Sequence, residues 1–324
     1  RQQRLSKMYD DDDDSNDDLD GRGDDDNDEN DKEDEENAPA TSSATVDAAL
    51  IETMVRESIE AHTAITRIES FMPNRTPMAA QRYLAWNEIG SVLSTQGESH
   101  NTLMIHLSEG NKRFSVPDFH LYNVAALAPH GLALASPRIR ARKSRGDAIS
   151  VNRPSMVVFQ RVGAAAQPGD WSVELPDSES AECIALGRSF VAVGTTQQTL
   201  RVFTVSGIEK VVLSVPGPVV TMTGRNNTLA VVYQSPCRAN PDQQALRAQI
   251  WDLDATTRLL QDVAVPVSPR SSLQWVGITD ADVLLTMDSE MVFRGLFAHL
   301  GFAWVHVLHC KEVKSLVDER GVSV

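Results

Sequence analysis

The 324 residues include 45 acidic and 30 basic side chains, a formal charge of −15, and 41 % hydrophobic residues. That apolar content is enough for a packed core and excludes a wholly disordered chain. Three cysteines, Cys183, Cys237 and Cys310, show no paired spacing, which excludes a disulfide scaffold and argues for a reducing compartment.

The charge is local. Residues 10–36 hold 18 acidic and two basic side chains, a net of −16, so the rest of the chain sums to +1. Such a tract cannot bury enough apolar surface to offset the entropy of ordering, so residues 1–44 read as a disordered acidic linker. It serves either as a solubilising spacer or as a docking strip for basic partners such as histone tails. The chain opens on Arg1 without a methionine, which suggests a fragment, and it lacks the basic-then-apolar layout of a signal peptide.

Residues 45–70 read as an amphipathic helix, with Val46, Leu50, Met54, Val55 and Ile59 on one stripe and Thr45 as its cap. The stripe is expected to pack on the following domain or on a partner.

From "FMPNRTP" at 71–77 the hydrophobic period changes from 3.6 to 2. "RYLAWNEIGSVLST", "NTLMIHLSE", "LYNVAALAPHGLALASP" and "SMVVFQRV" read as strands between turn residues. Inside this run, "SPRIRARKSRGD" brings together Arg138, Arg140, Arg142, Lys143 and Arg145. No aromatic residue interleaves them, so base stacking is not expected. The loop reads as exposed and passive, as one that neutralises the acidic tract, as a nuclear-import signal, or as a contact for nucleic-acid phosphates.

The rhythm is most even between 171 and 295. "ECIALGRSFVAVGT" and "LRVFTVSGIEKVVLSV" each give strand, turn, strand, and the phrase returns as "VVTMTGRNNTLAVVYQ", "AQIWDLDATTRLLQDV" and "LQWVGITDADVLLTMDSEMVFRGL". Gly187, Gly224 and Gly277 read as turn glycines, and "SPCRANPDQQA" at 235–245 as a polar insertion. Four strands in roughly 40 residues is the pattern of a propeller blade, which buries its faces only against neighbouring blades. An all-β propeller over 71–324 is therefore expected, with a two-sheet sandwich as the alternative. The last stretch, "CKEVKSLVDERGVSV", is not a clean strand pair, so closure of the last blade stays open. The repeated Gly187-Arg188 and Gly224-Arg225 pairs read as blade architecture.

No catalytic constellation emerges, and no enzyme, cofactor or metal is expected. His306, His309 and Cys310 cluster in sequence, yet an unbroken strand would send residues 306 and 309 to opposite faces. The longest apolar stretch, 296–309, contains three histidines and is too short to cross a bilayer.

Taken with their order, "FMPNRTP", "RYLAWNEIG", "DWSVELPDSESAECIALGRSFVAVGTT", "LRVFTVSGIEKVVLSVPGPVVTMTG" and "LAVVYQ" make residues 71–296 resemble the middle region of one family. These are the acidic nucleoplasmic DNA-binding proteins, also known as the minichromosome-loss or chromosome-transmission-fidelity replisome adaptors. The resemblance implies a six-bladed propeller that forms a homotrimer. It also implies a nuclear, chromatin-associated scaffold linking the replicative helicase complex to DNA polymerase alpha-primase, with a part in sister-chromatid cohesion. A chromatin-binding module that grips histones or DNA through the acidic tract and the basic loop is the alternative. The family's WD-repeat propeller and the helical bundle that receives client peptides lie outside the matching region.

Overall fold

A computed structural model of the chain describes residues 50, 53–54, 67–140, 152–162, 169–236, 243–254 and 257–312. The chain divides into two units, Arg1–Ala64 and Ile65–Val324. In the first, Leu50, Thr53 and Met54 are helical and exposed, and the acidic tract and Val46, Val55 and Ile59 lie outside the described residues. The helix expected to reach residue 70 does not, because 67–70 are irregular. Their backbone is claimed by sheet residues instead: Ile68 N donates to Gln234 Oε1 at 3.0 Å and Phe71 N to the Val220 carbonyl at 2.8 Å.

The second unit is built of five antiparallel four-stranded sheets. Blade one contains Gln81–Asn87, Gly90–Thr95, Asn101–Leu107 and Lys112–Asp118. Blade two contains Val124–Ala128, Gly131–Ala135, Met156–Arg161 and Trp171–Glu174. A two-stranded ribbon, Ile139–Arg140 against Asn152–Arg153, interrupts it between its second and third strands. Blade three runs through Ala181–Leu186, Phe190–Thr195, Thr199–Thr204 and Glu209–Ser214. Blade four follows with Val219–Arg225, Thr228–Gln234, Leu246–Asp252 and Arg258–Ala264. Blade five ends the series with Leu273–Ile278, Leu284–Asp288, Val292–Phe297 and Ala303–His309.

The first strand of each blade is its inner strand, and successive inner strands pack side by side from blade one to blade five. This radial series is a β-propeller, and it replaces the alternative of two stacked sheets. Among the described residues there are five four-stranded sheets, where the resemblance implies six. The hydrophobic core lies between blades rather than beneath one sheet. One cluster joins blades two, three and four, with Phe159, Phe190, Val202 and Met222 buried. A second joins blades four and five through Val220, Val232, Val276 and Leu284, and a third joins blades one and two through Leu84, Ile105, Leu127 and Leu134.

Strand alternation follows this layering. Phe190–Thr195 is buried along its whole length because both faces of a central strand meet neighbours, whereas the outer strand Glu209–Ser214 alternates exposed with half-buried positions. The Pro216-Gly217-Pro218 junction joins blades three and four without disturbing a ladder. Gly217 is required by close approach, because a Cβ there would collide with the Gln234 carbonyl oxygen. Gly224 and Gly277 are not turn residues as the spacing suggested. They sit within inner strands, where a side chain would press on Leu186 or on the Trp275 ring.

Candidate interaction surfaces

Antiparallel order gives the ring two ends. The first turn of every blade lies at one end, and the second turns and blade-to-blade connections lie at the other. The basic ribbon belongs to the second end. Arg138 is largely buried there, its side chain 12 % exposed and 3.9 Å from Asp177, while its backbone N–H donates to Ser180 Oγ. It fastens blade two to blade three rather than facing outward. Arg140 is exposed, and Arg142, Lys143 and Arg145 lie outside the described residues.

The ribbon supplies a cation that sequence reasoning missed. Arg153 is paired with Ile139 and donates from Nη1 to the Phe119 carbonyl at 2.9 Å. Phe119 is 59 % exposed, and its ring centroid lies 4.8 Å from that of His100. Aromatic groups thus stand beside the basic ribbon, contributed by blade one and its exit loop rather than interleaved in sequence. Only a contact across 34 positions reveals them.

At the axis, the inner strands of all five blades surround a cavity of about 520 Å³. The "FMPNRTP" segment lines it: Met72 is buried against Ile184, and Asn74 Oδ1 accepts a 2.8 Å hydrogen bond from Trp275 Nε1. Arg225 of blade four reaches Glu88 of blade one at 3.1 Å and also binds Asp280 of blade five. One guanidinium therefore ties three blades together at the first-turn end. Cys183, against the Phe71 and Val220 carbonyls, is fully buried, and burial pushes its thiol far above the ordinary range. It is a packing residue, not a nucleophile.

Blades one and five each carry large apolar side chains that are only partly covered. On blade one, Tyr83 is 40 % and Trp86 65 % exposed, with Met104 opposite Leu93 in the same row. On blade five, Trp275 and Phe293 are half-buried, 6.1 Å apart. Trp86 and Trp275 both line the axial cavity.

The histidines near the end of the described chain are corrected by a bulge. His306 pairs with Arg294 and His309 with Val292, with an irregularity between. They consequently face the same side rather than opposite sides. His309 Nδ1 lies 2.9 Å from Glu312 Oε1. Among the described residues, no group of three or more His, Cys, Asp or Glu side chains is placed to hold a metal ion, and no helix is long and apolar enough to cross a membrane.

Comparison with known proteins places these features in a family. The model of "Minichromosome loss protein, Mcl1, middle region" matches residues 69–321. The human "WD repeat and HMG-box DNA-binding protein 1" is 26 % identical over 253 residues, covering 76 % of this chain and 21 % of that protein. "Protein ENHANCER OF LHP1 1" of Arabidopsis thaliana is 26 % identical over 264 residues, covering 80 % of this chain and 26 % of its own length. The chain thus spans about a quarter of the length of these curated relatives. A solved structure, HIRA(644-1017), aligns over 56 % of this chain and 52 % of that one, with 14 % identity and a TM-score of 0.39.

Proposed function

Because the chain belongs to the family of the minichromosome loss protein, Mcl1, middle region, we propose that it is a non-enzymatic scaffold of the DNA replication machinery. It acts in the nucleus, joins the replicative helicase complex to DNA polymerase alpha-primase, self-associates as a homotrimer and contributes to sister-chromatid cohesion. The observation that carries this reading is the extent of the family match, which runs the length of the five-blade ring. The architecture supports it in physical terms. Interlocked blades make a rigid body with broad ends and variable loops, a format suited to holding partners in fixed relation.

The test is a bridging experiment. Helicase complex on beads should retain polymerase alpha-primase when this protein is added and not in its absence. Equal retention with and without it would overturn the scaffold reading. Sedimentation at rising concentration should show a three-fold mass, and a strict monomer would count against the homotrimer.

A second reading, a chromatin module that contacts histones or DNA, draws support from the exposed Arg140 and from Arg153 beside Phe119 and His100. Cations next to exposed rings suit phosphates and stacked bases. Deleting residues 10–36, or changing Arg140 and Arg153 to Ser, should then abolish chromatin association while leaving the bridge intact. Unchanged chromatin association would remove this reading.

A further inference from the structure

We propose that a cleft at the first-turn end of the ring is a receptor for a phosphorylated peptide segment of a partner protein. The cleft has a volume of about 690 Å³ and is lined by the first turns of blades one to four. The two Gly-Arg pairs, Gly187-Arg188 and Gly224-Arg225, both open onto it, and Arg161 of blade two completes a set of three guanidiniums. What the sequence presents as a repeat of blade architecture thus becomes one cationic rim.

The charges are not equivalent. Arg225 is held by Glu88 and Asp280. Arg161 and Arg188 are exposed, and neither guanidinium is in an ion pair among the described residues, while the Arg161 backbone N–H donates to Asp170 Oδ1 at 2.8 Å. Set against Glu88 in the lining and Asp280 on Arg225, the three arginines leave a surplus of one positive charge, carried by Arg161 and Arg188. His130 adds none near neutrality, because burial pushes its pKa down. Leu127, Ile89 and Val205 give the lining an apolar part.

A phosphoserine or phosphothreonine suits the two exposed guanidiniums of Arg161 and Arg188, with close to two negative charges and three acceptor oxygens for forked donors. The apolar lining takes a neighbouring side chain, which makes the ligand a peptide rather than a free anion. A nucleic-acid backbone fits less well because it needs a continuing basic stripe. Here the next turn presents Asp280 bound to Arg225, and Asp282 at 3.5 Å from Asn226. The rim is also preorganised, since the Arg188 N–H donates to the Asn226 carbonyl and locks the first turns of blades three and four together.

Fluorescence anisotropy on the full chain tests this. The probe is a fluorescein-labelled nonapeptide with one phosphoserine between Leu and Val, compared with its unphosphorylated twin and with a labelled twelve-residue oligo-deoxythymidine. The phosphopeptide should bind at least about tenfold tighter than its twin, and inorganic phosphate should displace it. Arg161→Ser with Arg188→Ser should reduce binding to the level of the twin. Arg161→Lys with Arg188→Lys should fall between, because charge remains while the forked geometry is lost. Arg140→Ser with Arg153→Ser, at the opposite end, should change nothing. Equal binding of the two peptides, failure of phosphate to compete, or binding of the oligonucleotide alone would each overturn the proposal. Should the serine variant not fold, the phosphate competition and the lysine variant still decide it.

Discussion

Replacing Asp288 by Asn should unseat blade five, because this carboxylate is the hub of a buried network. Asp288 is 1 % exposed, at the end of the second strand. Its Oδ1 accepts from the backbone N–H groups of Glu290 at 3.0 Å and Val292 at 3.2 Å. Its Oδ2 accepts from Arg294 Nη1 at 2.6 Å, Ser268 Oγ at 2.7 Å and Ser268 N at 2.9 Å. Arg294, whose side chain is 6 % exposed, also donates to Ser268 Oγ at 2.8 Å. Burial alone would raise the pKa of Asp288, but hydrogen bonds from Arg294, Ser268 and Val292 outweigh it and hold the carboxyl far below its usual range. The asparagine keeps the shape and strands the guanidinium in a dry site, which costs about 3–5 kcal/mol. Against a total stability of about 5–15 kcal/mol, that is a large fraction. Guanidinium chloride titration at pH 7, followed by tryptophan fluorescence, should show this loss, whereas Asp288→Leu with Arg294→Met should regain most of it. The folded pKa lies below the ordinary 3.8, so the contribution is fully present above that value and is lost as pH falls through the folded pKa. A loss under about 1 kcal/mol in Asp288→Asn, or a double variant no better than the single, would refute the reasoning.

Further outcomes follow from other particular contacts. Gly217→Ala should lower stability by about 1–3 kcal/mol in the same titration, because the added methyl meets the Gln234 carbonyl. Glu179 has its pKa lowered chiefly by the hydrogen bonds from Arg201, at 2.8 and 2.7 Å. Its contribution is present above the ordinary 4.5 and lost as pH falls through its folded pKa. Arg201→Gln should therefore melt lower at pH 7, and the gap to the parent protein should narrow under acid. Tyr233→Phe removes the 2.9 Å hydrogen bond to Asp262 and should cost about 1 kcal/mol by thermal melting. Trp86→Ser should change stability by less than about 0.5 kcal/mol, yet it should reduce acrylamide quenching, because Trp86 is the most exposed of the five tryptophans.

The sequence makes blade three legible strand by strand because its apolar strands are joined by short turns, and blade four likewise apart from the polar insertion at 235–245. Blade five is legible only through its third strand. The fourth, Ala303–His309, carries a bulge and reads instead as one more apolar run. Blade two is obscured by the ribbon at Ile139–Arg140 and by the residues that follow it. The helix end was misjudged for a different reason: tertiary hydrogen bonds at Ile68 and Phe71 override the local period. Site residues were the least legible. The arginine cluster gives no sign that Arg138 is buried beside Asp177. Nothing local announces that Arg225 binds carboxylates from blades one and five.

That last contact supplies the most direct test of the radial arrangement. Glu88 and Asp280, distant in sequence, meet on one guanidinium. With both changed to Cys and Cys237 and Cys310 changed to Ser, a short thiol-bridging reagent should join them within a single native chain and fail to do so in urea. A native protein that forms no such link would contradict the propeller arrangement, because an open row of sheets or a two-layer sandwich would keep these positions apart.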